Sequence, residues 1–481
     1  MHSLESVHAL DTLLNSLHTQ KANLLHQLEQ IDADIAAAGR KRAKICNDAA
    51  LVSKLPPELL SHIFLLCQKD KPAFRLIATR VCSRWRELAV GTQKLWTDIR
   101  ISIANQSHIQ PGLDKMETYL SRSAPSSLFA VRLNVDEDLN FAPFLKLIAS
   151  QISRCARLLV CVQQHKQACL LLREHLGSLR APHLDYLALN IDWTDSKTDR
   201  TICGTPSIFK AGAPSLNHLQ LSRIASGLRP PKSSCITTLY LDGEYMQKLT
   251  VLEYRGMLAA HRCLVNLSLQ WLTIDSSMST ESEGALELPK LRSLRIRTNR
   301  DDPASNEALL NALPLSALES LVLFDIDDLY SYSFPSVKDL SLHYCDCYPE
   351  IEPEIVSDQL ILAFPSVIRL TLEPGYGMAY TTPSIHDGLM MSPNLRTLCI
   401  RDVKDMADVH ALSRLVQDRS RANCPLEYVY LDSSSYCRAV NIIPALETPT
   451  TLGHISGDPD PWPPGANIDD PADYDNFWDP Y

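Results

Sequence analysis

The sequence predicts an α/β chain with an N-terminal coiled-coil helix, a small three-helix domain, and an irregular repeat-built solenoid with a parallel sheet. Three observations carry this expectation. A heptad seam runs from Val7 to Ala38. Apolar, Pro and Trp positions between Leu55 and Trp96 mark three short helices. Ten copies of an L-x-x-L-x-L unit follow from residue 184 onward.

Residues 3–49 read as one long helix. Val7, Leu10, Leu14, Leu17, Leu24, Leu28, Ile31, Ile35 and Ala38 fall at alternating steps of three and four, with Lys21 in the one polar slot. Such a seam is the pattern of a coiled coil, and a charged seam residue can select register or strand number at some cost in stability. Self-association through residues 3–49 is therefore expected. The alternative is an amphipathic helix folded onto the rest of the chain. Gly39 is expected to interrupt the helix before the basic run Arg40, Lys41, Arg42 and Lys44. That run reads as a solvated helix end or as a nuclear signal.

In the next segment, Leu55-Pro56-Pro57-Glu58 opens a helix. Proline suits a first turn, where its missing N–H would be unpaired anyway, and Glu58 favours the positive end of the helix dipole. Leu59, Leu60, Ile63, Phe64 and Cys67 then form an apolar face. Lys69-Asp70-Lys71-Pro72 breaks it. A second short helix, Pro72 to Arg80, carries Phe74, Leu76 and Ile77. A third carries Val81, Trp85 and Leu88, with Arg84, Arg86 and Glu87 turned away. Leu95-Trp96 follows, and then Ile99, Ile101 and Ile103 alternate with Arg100 and Ser102 as in a half-buried strand. Three helices of this length have more apolar surface than a self-contained core can hide, so part of it must meet something else.

The order Leu55-Pro56-x-Glu58-Leu59-Leu60-x-x-Ile63-Phe64, then Val81-Cys82-x-x-Trp85-Arg86, then Leu95-Trp96, resembles the F-box, in the form with a trailing Leu-Trp that is expanded in mushroom-forming fungi. The resemblance covers about 45 residues and implies a Skp-family adaptor as partner, and through it a cullin. On that resemblance Leu55, Pro56, Leu59, Ile63 and Val81 face the adaptor. Leu60, Phe64, Trp85, Leu95 and Trp96 make the domain core.

The repeats run PHLDYLAL (182–189), PSLNHLQL (214–221), ITTLYL (236–241), LVNLSL (264–269), PKLRSLRI (289–296), LESLVL (318–323), PSVKDLSL (335–342), PSVIRLTL (365–372), PNLRTLCI (393–400) and LEYVYL (426–431). Their first apolar residues lie 19 to 32 residues apart, at a mean of about 27, near the leucine-rich repeat range. LFAVRL at 128–133 fits the same template, so the array is expected to begin before residue 180. Each unit has the strand period of two. Helix-like stretches such as Glu307–Leu313 and Val409–Gln417 lie between units, and alternation at this period predicts a solenoid with a parallel sheet on one face. The Asn or Cys of a regular repeat stands only at Asn299 and Cys345, so the array is irregular.

If the strands stack in register, alternate residues line one outward face. They include Tyr186, His218, Tyr240, Asn266, Gln270, Arg295, Arg297, Phe324, His343, Arg369, Arg401, Tyr428 and Tyr430. Tyrosine and arginine dominate interface hot spots, so an unidentified target protein is expected here. Taken singly, each of these residues also reads as an ordinary exposed strand residue.

Charge and composition narrow the remaining classes. The chain has 481 residues, 45% hydrophobic and 21% charged, ordinary for a globular protein. Its net charge is −10, and residues 457–481 hold seven Asp with no Lys or Arg. No basic run interleaved with aromatics appears, so no nucleic-acid partner is expected. Residues 456–481, with six prolines, read as a disordered acidic tail in which Trp462, Phe477, Trp478 and Tyr481 form either a linear docking motif or a cap on the array. The opening MHSLESVHALD is unlike a signal peptide, and no apolar run of about 18 residues exists, so no membrane span is expected. The 14 cysteines, without a CxxC pair, read as buried thiols in a reducing compartment, the cytoplasm and/or the nucleus.

Phosphate-loop, dinucleotide, zinc-protease and nucleophile-elbow motifs are missing from the sequence. Cys345-x-Cys347 and Asp325/Asp327/Asp328 read as strand-end side chains and a solvated loop rather than metal sites. No catalytic, cofactor or metal residue is expected.

The expected domains are a coiled-coil helix (1–48), an F-box (49–100), a transition with the first repeat-like units (101–180), the solenoid (181–455) and the tail (456–481). The expected function is that of a non-catalytic substrate-recognition adaptor of a Skp–cullin–F-box ubiquitin ligase. The alternative is a coiled-coil scaffold with no ligase role.

Overall fold

The structure is a computed structural model. It describes residues 2–136, 138–163, 167–192, 208–223, 236–243, 248–275, 286–297, 302–324, 332–343, 363–373, 386, 389–401, 403, 406–443 and 448–455. The acidic tail, Asn299, Asp325/Asp327/Asp328 and Cys345/Cys347 lie outside these residues. The chain divides into two compact units, one of residues 1–97 and 119–127, the other of 98–118 and 128–481.

The first unit begins with one helix, α1 (His2–Ala49). Gly39 does not interrupt it, and the basic run 40–44 is part of the helix. A lone glycine costs a helix about 1 kcal/mol, too little to end one flanked by Ala36, Ala37, Ala38 and Arg40. Every residue from Val7 to Cys46 is exposed, so none of the described residues covers the apolar seam.

After a 3-10 turn (Leu51–Lys54) come α2 (Pro57–Asp70), α3 (Phe74–Val81) and α4 (Ser83–Gly91), then a second 3-10 turn (Gln93–Trp96). Two boundaries differ from the sequence reading. The second helix starts at Phe74 rather than Pro72, and Val81 is its last residue rather than the first of the third helix. Cys82, extended at φ −156°, separates the two helices, and its Sγ accepts the Trp85 amide at 3.5 Å. That cap starts the new helix after Val81.

The second unit is built on 14 parallel strands whose order in the sheet is their order in the chain. They are β1 (Asp98–Ile103), β2 (Phe129–Val135), β3 (Cys155–Gln163), β4 (Tyr186–Asp192), β5 (His218–Arg223), β6 (Thr238–Asp242) and β7 (Asn266–Gln270). Then follow β8 (Ser293–Arg297), β9 (Ser320–Phe324), β10 (Asp339–His343), β11 (Arg369–Glu373), β12 (Thr397–Ile400), β13 (Tyr428–Leu431) and β14 (Thr451–His454). The ten repeat units supply β4 to β13, and the earlier copy supplies β2.

Register explains why the repeat works. Leu267, Leu294, Leu321, Leu340, Leu370 and Leu398 are consecutive partners, and so are Leu269, Ile296, Leu323, Leu342, Leu372 and Ile400. Both rows are buried. The first apolar residue of each unit, from Leu184 to Leu426, precedes its strand and is also buried. One motif therefore supplies three core residues per strand.

Helices accompany the strands: α5 (Ile109–Arg122), α6 (Ala142–Ser150), α7 (Ala168–Leu176), α8 (Val251–Ala259), α9 (Pro303–Asn311), α10 (Met406–Arg421) and α11 (Ser433–Ala439). The helix-like stretches 307–313 and 409–417 fall at α9 and α10. Close packing is visible at Gly112, where an added Cβ would lie 3.1 Å from the Phe144 ring and 3.4 Å from Ile101. On α10, Arg419 is wholly buried. Its guanidinium donates to the carbonyls of Leu389, Ser392 (3.1 Å) and Leu395 (2.9 Å), pinning the approach to β12.

Among the described residues the ten cysteines are free. Cys155, Cys169 and Cys399 are buried, but Cys46 and Cys437 are exposed. No helix among the described residues is long and apolar enough to cross a membrane.

Candidate functional site

The first candidate surface lies on α2 and α3. An α-helix turns about 100° per residue, so neighbouring apolar residues need not share a fate. Leu60 and Phe64 point inward and are 1% and 0% exposed. The Phe64 ring meets Phe74 at 5.8 Å and Trp85 at 4.8 Å, both tilted. Leu59 and Ile63, one step round the helix, are 54% and 39% exposed, and Leu66 continues their stripe. Ile77 and Val81 form an exposed i, i+4 pair on α3. Pro56 is exposed and Leu55 half-buried. Of the five residues assigned to the adaptor contact, Pro56, Leu59, Ile63 and Val81 are exposed and Leu55 is half-buried. Of the expected core, Leu60, Phe64, Leu95 and Trp96 are buried and Trp85 is half-buried.

Several residues that hold this domain are polar and escaped the sequence reading. Arg84 is not turned away. It is half-buried, and its guanidinium donates to the carbonyls of Ser53 and, at 2.7 Å, Leu55, tying the start of the domain to α4. Arg86 donates to Thr79 O at 2.7 Å. Arg75 is buried, donates to Leu95 O at 3.0 Å, and lies 4.4 Å over the Tyr119 ring. Gln68 donates to the same carbonyl at 3.0 Å. Trp96 Nε1 donates to Ala89 O at 2.9 Å, its ring meets Tyr119 edge-on at 5.1 Å, and Arg122 lies 4.5 Å over it. A sequence signal for this clamp existed only in Trp96, whose N–H needs a partner when buried.

Residues 52–102 match the family model of the F-box-like domain. This segment is an F-box-like domain. Its last residues are the first strand of the sheet. No curated protein matches the chain.

The second candidate surface is the outward side of the sheet. The eleven residues Tyr186, His218, Tyr240, Arg295, Arg297, Phe324, His343, Arg369, Arg401, Tyr428 and Tyr430 all fall on the same side of their strands or strand ends. Asn266 and Gln270 share that side. They are not simply exposed, however. Tyr186, Tyr240 and His343 are buried, most others half-buried, and Tyr428 is exposed.

The cause is strand spacing. Adjacent strands lie about 4.8 Å apart, close to the stacking distance of aromatic rings, so residues in register cover one another. Tyr186 stacks on His218 at 4.3 Å and 17°, and Phe324 on His343 at 4.5 Å and 18°. Arg295 and Arg297 lie 5.0 and 5.7 Å over Phe324, and Arg297 lies 4.9 Å over Trp271. His343 Nδ1 pairs with Glu373 at 2.7 Å, and Arg401 approaches the same carboxylate at 3.7 Å. The result is a ladder running Arg297, Phe324, His343, Glu373, Arg401 across five strands. Glu373 and Trp271 also belong to these contacts and are not among the residues named from the sequence.

Near the other end, Tyr186 donates to Gln220 Oε1 at 3.2 Å. Burial, and then the Arg157 charge, push His218 down to about 4, so its ring is neutral at physiological pH. Tyr428 and Tyr430 lie 5.9 Å apart and nearly parallel. The Tyr430 ring lies over Gly453, where an added Cβ would be 2.5 Å away. No group of three or more His, Cys, Asp or Glu suited to a metal occurs among the described residues.

Proposed function

We propose that this chain is the substrate-recognition subunit of a Skp–cullin–F-box ubiquitin ligase. The observation that carries the reading is the division on α2, where a buried Leu60–Phe64 pair makes a self-consistent core beside an uncovered Leu59–Ile63–Leu66 stripe. A domain that has a filled core and still presents apolar side chains is built to be completed by a partner. For an F-box-like domain that partner is a Skp-family adaptor, and through it a cullin. Leu55, Pro56, Leu59, Ile63 and Val81 make the contact in this reading.

The sheet-bearing unit, read as an irregular leucine-rich-repeat solenoid, holds the target on its outward side. Its stacked arginines and rings are already ordered by their neighbours, so little side-chain entropy remains to be lost on binding. Exposed Tyr428 and half-buried Tyr430, Arg297 and Arg401 are the anchors. The chain acts by proximity: one surface grips the adaptor, the other presents target lysines at high effective concentration to a charged ubiquitin-conjugating enzyme. Affinity capture with the proteasome blocked tests the target half of the proposal. Proteins enriched by the wild type and lost with Tyr428→Ala/Arg401→Ala support it. An unchanged set of partners contradicts it.

A further inference from the structure

We infer that α1 pairs with α1 of a second copy as a parallel, in-register, two-stranded coiled coil. This does not rest on the ligase reading. The helix seam is continuous over ten positions from Val7 to Ala38, about 47 Å at 1.5 Å per residue. Each of its Val, Leu and Ile residues is more than half exposed, and none of the described residues lies over them. An apolar stripe of that length does not stay in water unpaired.

The residues beside the seam choose the orientation. Counting Val7 as position a, the a residues are Val7, Leu14, Lys21, Leu28 and Ile35, and the d residues are Leu10, Leu17, Leu24, Ile31 and Ala38. In a fully overlapped antiparallel pair, Leu14 faces Ile31 and the flanking e positions bring Asp11 against Asp32 of the other helix, twice per dimer. Like charges held there repel. In the parallel pair the flanks become Leu13 with His18, Gln20 with Leu25 and Gln27 with Asp32. None is a like-charge pair, and two add apolar contact beside the seam.

Lys21 sets the number of strands. In a two-stranded parallel coil an a-position lysine lies at the edge of the seam and its stem lets the ammonium reach water. In three or four strands the same position closes around it. A single a-position lysine also penalises any shifted register, since Lys21 would then face leucine. Because α1 runs directly into the F-box-like domain, parallel pairing brings both of those domains to one end of the coil.

The test uses full-length protein in a Cys46→Ser/Cys437→Ser background, which removes the two exposed thiols. Light scattering is expected to give twice the chain mass for wild type. Leu14→Glu/Leu28→Glu is expected to give the single-chain mass with the F-box-like domain still folded by hydrogen exchange. Leu14→Cys is expected to form an interchain disulfide with itself on mild oxidation. A monomeric wild type, a trimer or tetramer, or crosslinking of Leu14→Cys only with Ile31→Cys overturns the inference.

Discussion

Truncating Leu60 and truncating Leu59 are adjacent changes of the same chemistry, and the structure assigns them opposite outcomes. Leu60 is 1% exposed, against the Phe64 side of the core. Replacing a buried leucine by alanine costs about 2–5 kcal/mol, a lost transfer contribution plus the cavity left behind. Phe64 already contacts both Phe74 and Trp85, so little collapse into the void is available, and a value near 3 kcal/mol is expected. Leu59 is 54% exposed, and Leu59→Ala is expected to change stability by no more than about 0.5 kcal/mol. Hydrogen exchange on the full-length chain resolves the two locally. At about 1.4 kcal/mol per tenfold, Leu60→Ala speeds exchange of α2–α4 amides on the order of a hundredfold. Leu59→Ala leaves it within about threefold. Equal acceleration by both variants refutes the division of α2 into a core face and a docking face.

Other consequences are equally specific. Arg419→Lys keeps the charge but loses the planar fork that serves three carbonyls, and is expected to cost about 2–4 kcal/mol in chemical denaturation of the sheet-bearing unit. Gly453→Ala is expected to displace the Tyr430 ring and destabilise the last strands by about 1–3 kcal/mol, read as faster exchange in β13 and β14. His218 has a folded pKa below its unfolded value of about 6.5. Its contribution is therefore fully present above pH 6.5 and is lost as pH falls toward 4, on the order of 2–3 kcal/mol. His218→Phe keeps a ring against Tyr186 and is expected to flatten that pH dependence in thermal melts between pH 4 and 7.

The parallel sheet was legible because the sequence motif behind it is redundant. Each unit places three apolar residues at fixed offsets, and the sheet pairs those offsets across strands, so Leu294, Leu321 and Leu340 end as partners in one row. Side of the sheet follows from parity alone, and the eleven residues share one side of their strands for that reason. Their burial was not legible. It depends on what stands in register on the next strand, as Tyr186 with His218 and Phe324 with His343, and a single strand's sequence does not contain its neighbour.

In the helical domain the three helices were legible while two boundaries slipped. Val81 fits the spacing of the third helix as well as the second, and the deciding feature is a Cys82 thiol cap, a weak signal. Arg75 and Arg84 were missed for a related reason. Arginine on a short helix normally lies in solvent, and only the chain return through Leu95 and Ser53 gives these two guanidinium groups buried carbonyls to satisfy. Gly39 misled in the opposite direction, since propensity is a weak prior within a long helix.

The most direct measurement of the central claim is binding of full-length protein to a purified Skp-family adaptor, with Leu59→Asp/Ile63→Asp beside it. The account predicts a stable wild-type complex, at least a hundredfold weaker binding by the double variant, and unchanged hydrogen exchange in the buried helices of that variant. A wild type that does not bind, or a double variant that binds as well as wild type, contradicts it.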